Sequence, residues 1–416
     1  MSGCSTSAGG ERPGSSPQPC ARASSAIAER IHRLGPIRFD AYVEAALYGP
    51  GGFFTSDDRG AGRRADFLTS PEVGPLFGAV VALALDAEWE RLGRPDPFVV
   101  VEAGAGRGLL ARSVLDARPC CQGALRYVAV ERSSVLRSHA EQRLPVEPPA
   151  TVLGPVVGGA DDEAQVVAGQ GPVVAVLPDL PAISVRGVVL ANELLDNLPF
   201  RLLERREDHW SEVLVGLGGG DSDGGDGDGG DGDDVDGDHR LVEVVVDAPP
   251  DVAAEAARLA PKAAPGARLP IQREAVGWLG QALNLLDRGR VIVVDYADTT
   301  ANLAARPWRD WARTYRDHRR GAHPLEQPGV QDVTCEVAVD QLVRLRPLVG
   351  DRSQAEWLAH HGIGGLVEDA RAMWWQRAHL GDLSALAARS RIGEADALTD
   401  PGGLGAFRVL EWEVER

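Results

Sequence analysis

The chain has 416 residues, 44% of them hydrophobic, and a formal net charge of −18. That charge argues against nucleic acid as a partner, and no apolar run approaches the length a membrane helix needs. Five cysteines (Cys4, Cys20, Cys120, Cys121 and Cys335) make an odd set without C-x-x-C spacing, which argues against a disulfide framework or a zinc site. The expectation is a cytoplasmic protein with no bound metal and no nucleic-acid or membrane partner. Its basic charge is nearly all arginine, with Lys262 the single lysine. With the Ala/Gly richness, that bias points to a high-GC bacterial genome.

In chain order, residues 1–22 are rich in Ser, Gly and Pro and read as a disordered tail. Residues 23–95 read as an N-terminal helical cap with a lid loop. Apolar residues recur at helical spacing over 23–34 and 38–48, and Gly49, Pro50, Gly51 and Gly52 end the second run. A polar loop over 59–72 leads into a further helix over 75–92. From residue 96 to 416, strands alternate with helices. Strands are expected at 98–102, 127–131, 173–177, 187–191 and 290–296, the pattern of a doubly wound, mostly parallel sheet.

Between Gly218 and Asp238 lies a Gly/Asp tract with nine aspartates. It lacks the twelve-residue loop with a terminal Glu that calcium sites use. It therefore reads as a disordered insertion over 217–239, at the tip of a hairpin formed by 211–215 and 241–246. Segments 331–337 and 406–414 alternate like half-exposed strands and are expected to close the sheet as an antiparallel pair.

The chemistry starts at residues 98–110, Phe-Val-Val-Val-Glu-Ala-Gly-Ala-Gly-Arg-Gly-Leu-Leu. A buried strand ends in Glu102, and Gly104, Gly106 and Gly108 then allow a sharp turn and close backbone approach to a ligand. The spacing G-x-G-x-G departs from the dinucleotide fingerprint G-x-G-x-x-G. Glu102 just before the turn suits an amine-bearing ligand better than a pyrophosphate. The pattern resembles that of class I S-adenosylmethionine (SAM) methyltransferases. A second strand ends in Glu131, where an acid accepts hydrogen bonds from ribose hydroxyls, and Ser133 and Ser134 are placed to cap the next helix.

A third strand, 187–190, runs directly into Asn192, Glu193 and Asp196 at the edge where ligands of open α/β folds bind. Glu193 and Asp196 are three residues apart, hence on one face of a helical turn. They are the candidate catalytic pair, although Asp196 also suits a helix start. Upstream, Asp66, Thr69 and Pro71 belong to a lid over the cofactor, or Asp66 and Thr69 cap the following helix. Tyr48 reads as core, and His318 and His323 as surface-loop residues.

Four separated segments resemble the MidA-like SAM-dependent methyltransferase family, and the similarity extends over roughly residues 25–412, the Gly/Asp tract excluded. They are the opening around Tyr42, Leu47, Tyr48 and Pro50; the loop Asp66-Phe67-Leu68-Thr69-Ser70-Pro71 with Phe77-Gly78; the glycine turn with Glu131; and Asn192-Glu193 followed by Asp196, Leu198 and Pro199. Ala65 stands where the family has glycine, and Asn197 where it has alanine. The resemblance implies a class I SAM-methyltransferase, Rossmann-like doubly wound sheet of seven strands, with the N-terminal helical cap and the inserted β-hairpin. It also implies SAM as cofactor, held by Glu102, Gly104, Gly106, Gly108, Glu131, Asp66, Thr69 and Pro71.

The expected activity is methyl transfer to a protein, with arginine as the acceptor by analogy with the family's mitochondrial members, which help assemble respiratory complex I. The alternative is a SAM-binding assembly factor that transfers little or no methyl. A nicotinamide-dependent oxidoreductase is disfavoured by the glycine spacing and by Glu102. Neither the substrate protein nor the oligomeric state is legible in the sequence.

Overall fold

A computed structural model describes residues 19–56, 69–153, 169–218, 240–316 and 319–416. Its centre is a mixed sheet of seven strands: β1 Phe98–Ala103, β2 Leu125–Val130, β3 Val173–Leu177, β4 Val185–Asn192, β5 Leu286–Asp295, β6 Gly350–Ser353 and β7 Arg408–Glu415. They lie in the order β6-β7-β5-β4-β1-β2-β3. Strands β1 to β5 are mutually parallel, and β7 runs antiparallel to β5 and to β6. The central strands are valine runs buried on both faces, as expected of parallel strands covered by helices. Register brings four strand ends to one edge: Ala103 opposes Val130 and Ala191, and Asn192 opposes Val294. Gly187 in β4 fits only because it lacks a side chain, since a Cβ there would lie 1.8 Å from the Val99 carbonyl oxygen of β1.

Between β4 and β5 the chain builds a second sheet, in which Trp210–Leu217 pairs with Arg201–Arg205 and with Leu241–Asp247. The hairpin expected around the Gly/Asp tract therefore forms; residues 219–239 of the tract lie outside the described residues. This second sheet also takes in Ile37–Arg38 from the N-terminal segment. Phe39, Tyr42 and Leu47 of the helix Phe39–Tyr48 pack with Phe200, Val213 and Trp311 in one buried cluster. The helix Pro75–Arg91 instead packs under the main sheet, with Leu76, Val80 and Leu85 against Phe98 and Val100.

Two expectations change. The first helix spans Pro19–Leu34 and so begins inside the segment 1–22 read as a tail; residues 1–18 lie outside the described set. The segment 331–337 does not join the main sheet. Its strand Asp332–Cys335 pairs with Ala312–Arg316 in a separate three-stranded sheet, and Gly350–Ser353 takes the outer position beside β7. Alternation marks a half-buried strand but carries no information about which sheet buries it.

Candidate active site

A cavity of about 460 Å³ opens at the edge where β1, β2, β4 and β5 end. Thr69, Pro71, Glu102, Gly104, Gly106, Glu131, Asn192, Glu193 and Asp196 all line it, so residues spread over more than a hundred positions meet in one space. Gly108 does not line it. At φ 70° Gly108 starts the helix Leu109–Asp116, and a Cβ there would press on Leu144 at 3.0 Å. Its glycine serves helix packing. Asp66 and His318 lie outside the described residues.

At one end, Gly104 and Gly106 adopt φ values of 70° and 54°, left-handed conformations open to glycine at little cost. A Cβ built on Gly106 meets no atom within 4 Å, so this part of the turn faces open space. The turn is fixed by Glu131, whose Oε2 accepts the Gly106 N–H at 2.8 Å and whose Oε1 accepts the Ser133 N–H at 2.7 Å. Ser133 caps the helix Ser134–Arg143 by accepting from the Leu136 N–H, and its hydroxyl donates to the Phe54 carbonyl at 2.5 Å. That last bond draws the aromatic N-terminal segment over the site. Tyr48, read from sequence as core, lines the cavity: its ring stacks on Phe54 at 5.3 Å and the Arg132 guanidinium lies 4.4 Å above it. Glu102 accepts the Tyr127 hydroxyl at 2.7 Å, and burial pushes its carboxyl up to about 7.

The other end is acidic. Glu193 sits at φ 50°, rare for a side chain other than glycine and worth roughly 1–2 kcal/mol of strain. Its backbone N–H is held by the Val294 carbonyl at 2.8 Å. Its Oε1 accepts the Asn192 amide at 3.1 Å and the Ser70 N–H at 3.3 Å. Burial, then the nearby Asp196, push its carboxyl up to about 8. Asp196 is buried, and its Oδ1 has no hydrogen-bond partner among the described residues. Burial, followed by the charges of Asp295 and Asp332, raises it well above the ordinary carboxylate range.

Asp295, fully buried at the end of β5, was not singled out from the sequence. It accepts the Leu195 and Asp196 N–H groups at 2.9 and 3.3 Å through Oδ2, and the Tyr296 N–H at 2.9 Å through Oδ1. It thereby holds the turn that carries Asp196. The signal was present, since an acid ends the buried run of β5 just as Asn192 ends that of β4. Asp332 reaches the same wall from the three-stranded sheet and accepts the Asn197 amide at 2.8 Å. Asn197, a departure from the family pattern, thus joins two of the acidic elements.

A profile of S-adenosyl-L-methionine-dependent methyltransferases matches residues 80–348. The mitochondrial protein arginine methyltransferase NDUFAF7 homolog of Drosophila melanogaster is 31% identical over 204 residues, 46% of this chain and 44% of that protein. The chain thus spans under half the length of that relative. Protein arginine methyltransferase NDUFAF7 of Danio rerio is 27% identical over 371 residues, 82% of this chain and 77% of that one. A Burkholderia thailandensis protein crystallised with S-adenosyl-homocysteine shares the fold at TM-score 0.74, with 24% identity over 97% of this chain and 95% of that chain. The matched profile takes in the glycine turn, Glu131, the Asn192–Asp196 segment and Asp295 together, and the chain belongs to this MidA-like family of S-adenosyl-L-methionine-dependent methyltransferases.

Proposed function

We propose that this chain methylates a protein, with the guanidinium of an arginine side chain as the acceptor. The observation that carries the reading is the acid cluster. None of the ion pairs among the described residues involves Glu193, Asp196 or Asp295, and each is raised by burial and by the other carboxylates. Clustered carboxylates that lack a cation of their own are stabilised by one that arrives with the substrate. A guanidinium fits because its planar N–H groups can engage carboxylates bidentately. The NDUFAF7 relatives, named as protein arginine methyltransferases, support the same choice.

The cavity suits the cofactor. Its volume falls within the ~300–1,000 Å³ usual for small-molecule sites, and the turn at Gly106 leaves a cradle that a side chain would fill. In this reading Glu131 and the Gly104–Gly106 backbone hold the ribose and amino acid parts, with Thr69 and Pro71 as roof and Tyr48 and Phe54 as apolar wall. The bound cofactor supplies an electrophilic methyl on a sulfonium. The chain aligns the acceptor nitrogen, excludes water and takes the proton that the guanidinium must lose. Glu193 is placed for that proton, because a carboxyl raised to about 8 is a far stronger base than an ordinary one. Asp196 orients the guanidinium and offsets its charge.

Incubating the purified protein with methyl-labelled SAM and lysate from cells lacking it tests the reading. Label in a protein, recovered after hydrolysis as methylarginine, is expected. Label on another residue type removes the arginine assignment. Tight SAM binding with no labelled protein favours the assembly-factor alternative.

A further inference from the structure

Acids dominate the lining of the cavity, and among the described residues its two cations are Arg107 and Arg132. Arg132 is already engaged, since its Nη1 donates to Glu44 Oε2 at 3.0 Å and its guanidinium lies over the Tyr48 ring. Arg107 is not. Among the described residues its guanidinium makes no hydrogen bond and no ion pair. The carboxylate that acts on it most is Glu72 of the lid helix Ser70–Val73, whose Oε2 is taken up by the Thr69 N–H at 3.2 Å. Burial holds the Arg107 guanidinium below its ordinary value, with Glu72 opposing and Arg143 adding to the effect. A cation that gives up water without gaining an anion is stabilised by one that arrives with a ligand.

The backbone beneath this side chain is fixed. Gly106 on one side donates to Glu131 at 2.8 Å, and Gly108 on the other donates to the Ala105 carbonyl at 2.8 Å. The Arg107 carbonyl itself accepts from Arg143 Nη1 at 2.5 Å. The helix Leu109–Asp116 starts two residues on, and Leu109 and Leu110 also line the cavity. The positive end of that helix dipole therefore adds to the charge of Arg107. In a cavity otherwise walled by Glu102, Glu131, Glu193 and Asp196, this part of the turn is where an anion is favoured.

S-adenosyl-L-methionine carries two cationic groups, the sulfonium and the ammonium, and one anionic group, the carboxylate. Acid walls favour the first two and oppose the third. We propose that Arg107 binds the carboxylate of the cofactor's amino acid part, because a guanidinium can engage both carboxylate oxygens at once. Arg107 thereby sets which cofactor analogues the cavity accepts and takes no part in moving the acceptor's proton. The inference rests on the cofactor alone and is independent of arginine as the acceptor.

Calorimetry on the full chain tests it with three ligands. They are S-adenosyl-homocysteine, its decarboxylated analogue, which keeps the amine, and 5′-methylthioadenosine, which lacks the whole amino acid. The wild type should prefer S-adenosyl-homocysteine to the decarboxylated analogue by roughly ten- to hundredfold, the range for a charge-assisted hydrogen bond. In Arg107→Ala that preference should vanish, because S-adenosyl-homocysteine binds more weakly while the other two ligands bind as before. Arg107→Lys keeps the charge and loses the planar fork, so it should retain part of the preference. A wild type indifferent to the carboxylate overturns the proposal, and so does an Arg107→Ala variant that keeps the preference. Equal loss of all three ligands in Arg107→Ala would also overturn it, by making Arg107 a support of the turn.

Discussion

The two ends of the cavity treat their carboxylates in opposite ways. Glu131 is buried, yet each of its oxygens accepts a backbone N–H, from Gly106 and from Ser133. At the far end Asp196 is as deeply buried, but its Oδ1 has no partner among the described residues, and Asp295 stands behind it with its own charge. A saturated carboxylate can fix a loop before any ligand arrives. An unsatisfied one, crowded by like charges, gains most of its stabilisation from whatever binds. The contrast separates a preorganised holding end from an end whose electrostatics are completed by the acceptor.

The largest effect expected is at the unsatisfied end. Glu193→Gln and Asp196→Asn keep the shape and remove the charge, so methyl transfer to the labelled substrate should fall by roughly two to four powers of ten. SAM affinity by calorimetry should stay within a few-fold. Full turnover in both variants would erase the distinction between the two ends.

The holding end should respond the other way. Glu131→Ala frees the Gly106 and Ser133 N–H groups and removes the proposed ribose acceptor, so SAM should bind about 1–3 kcal/mol more weakly. Turnover at saturating cofactor should fall far less. Unchanged affinity would show that the turn holds itself.

The smallest effect is a pH dependence. Glu193 must be ionised to accept a proton, so kcat/KM should rise as pH increases through about 8, and Glu193→Gln should lose that limb. Stability runs oppositely. The folded state binds a proton that the unfolded state has already released between the ordinary carboxylate range and about 8, so stability contributed by this group falls as pH rises through that window. Glu193→Gln should therefore melt higher than the parent at pH 8, by a few degrees, with the gap closing toward pH 5. A constant gap would mean that Glu193 ionises at its ordinary pH.

Much of this was legible in the sequence, because the informative residues announce themselves locally. Polar groups directly after valine runs marked the strand ends, and alternate glycines marked the turn. Those patterns alone picked out a doubly wound α/β sheet, the glycine turn, Glu131 and the Asn192–Asp196 segment, whereas the seven-stranded methyltransferase architecture rested on the family resemblance. Tyr48 packs on the N-terminal cluster, as its helical spacing implied, but its place in the cavity wall was not legible, because it depends on long-range contacts: Ser133 donating to Phe54 and Arg132 paired with Glu44. Asp332, and Tyr315 paired opposite it and also lining the cavity, reach the site through a small sheet whose existence depends on pairing between strands outside the main sheet. Gly108 was misassigned because spacing cannot distinguish a glycine facing a ligand from one facing a neighbouring helix.

One fastening has a practical consequence for anyone trimming the chain. The cavity is walled by residues up to Thr334, but the turn over it is anchored much later: Ser70 donates to Gln354 Oε1 at 2.8 Å, and Gln354 in turn donates to the Leu398 carbonyl at 3.0 Å. That short relay is buried and joins the first sixth of the sequence to the last tenth. A fragment ending after the last cavity residue would lose this latch together with β6 and β7, whose Leu410, Trp412 and Val414 are buried against the central sheet, and should not keep the fold. Gln354→Ala isolates the latch: it leaves every cavity-lining residue in place, and the Ser70–Val73 amides should then exchange faster with solvent and bound SAM be released sooner.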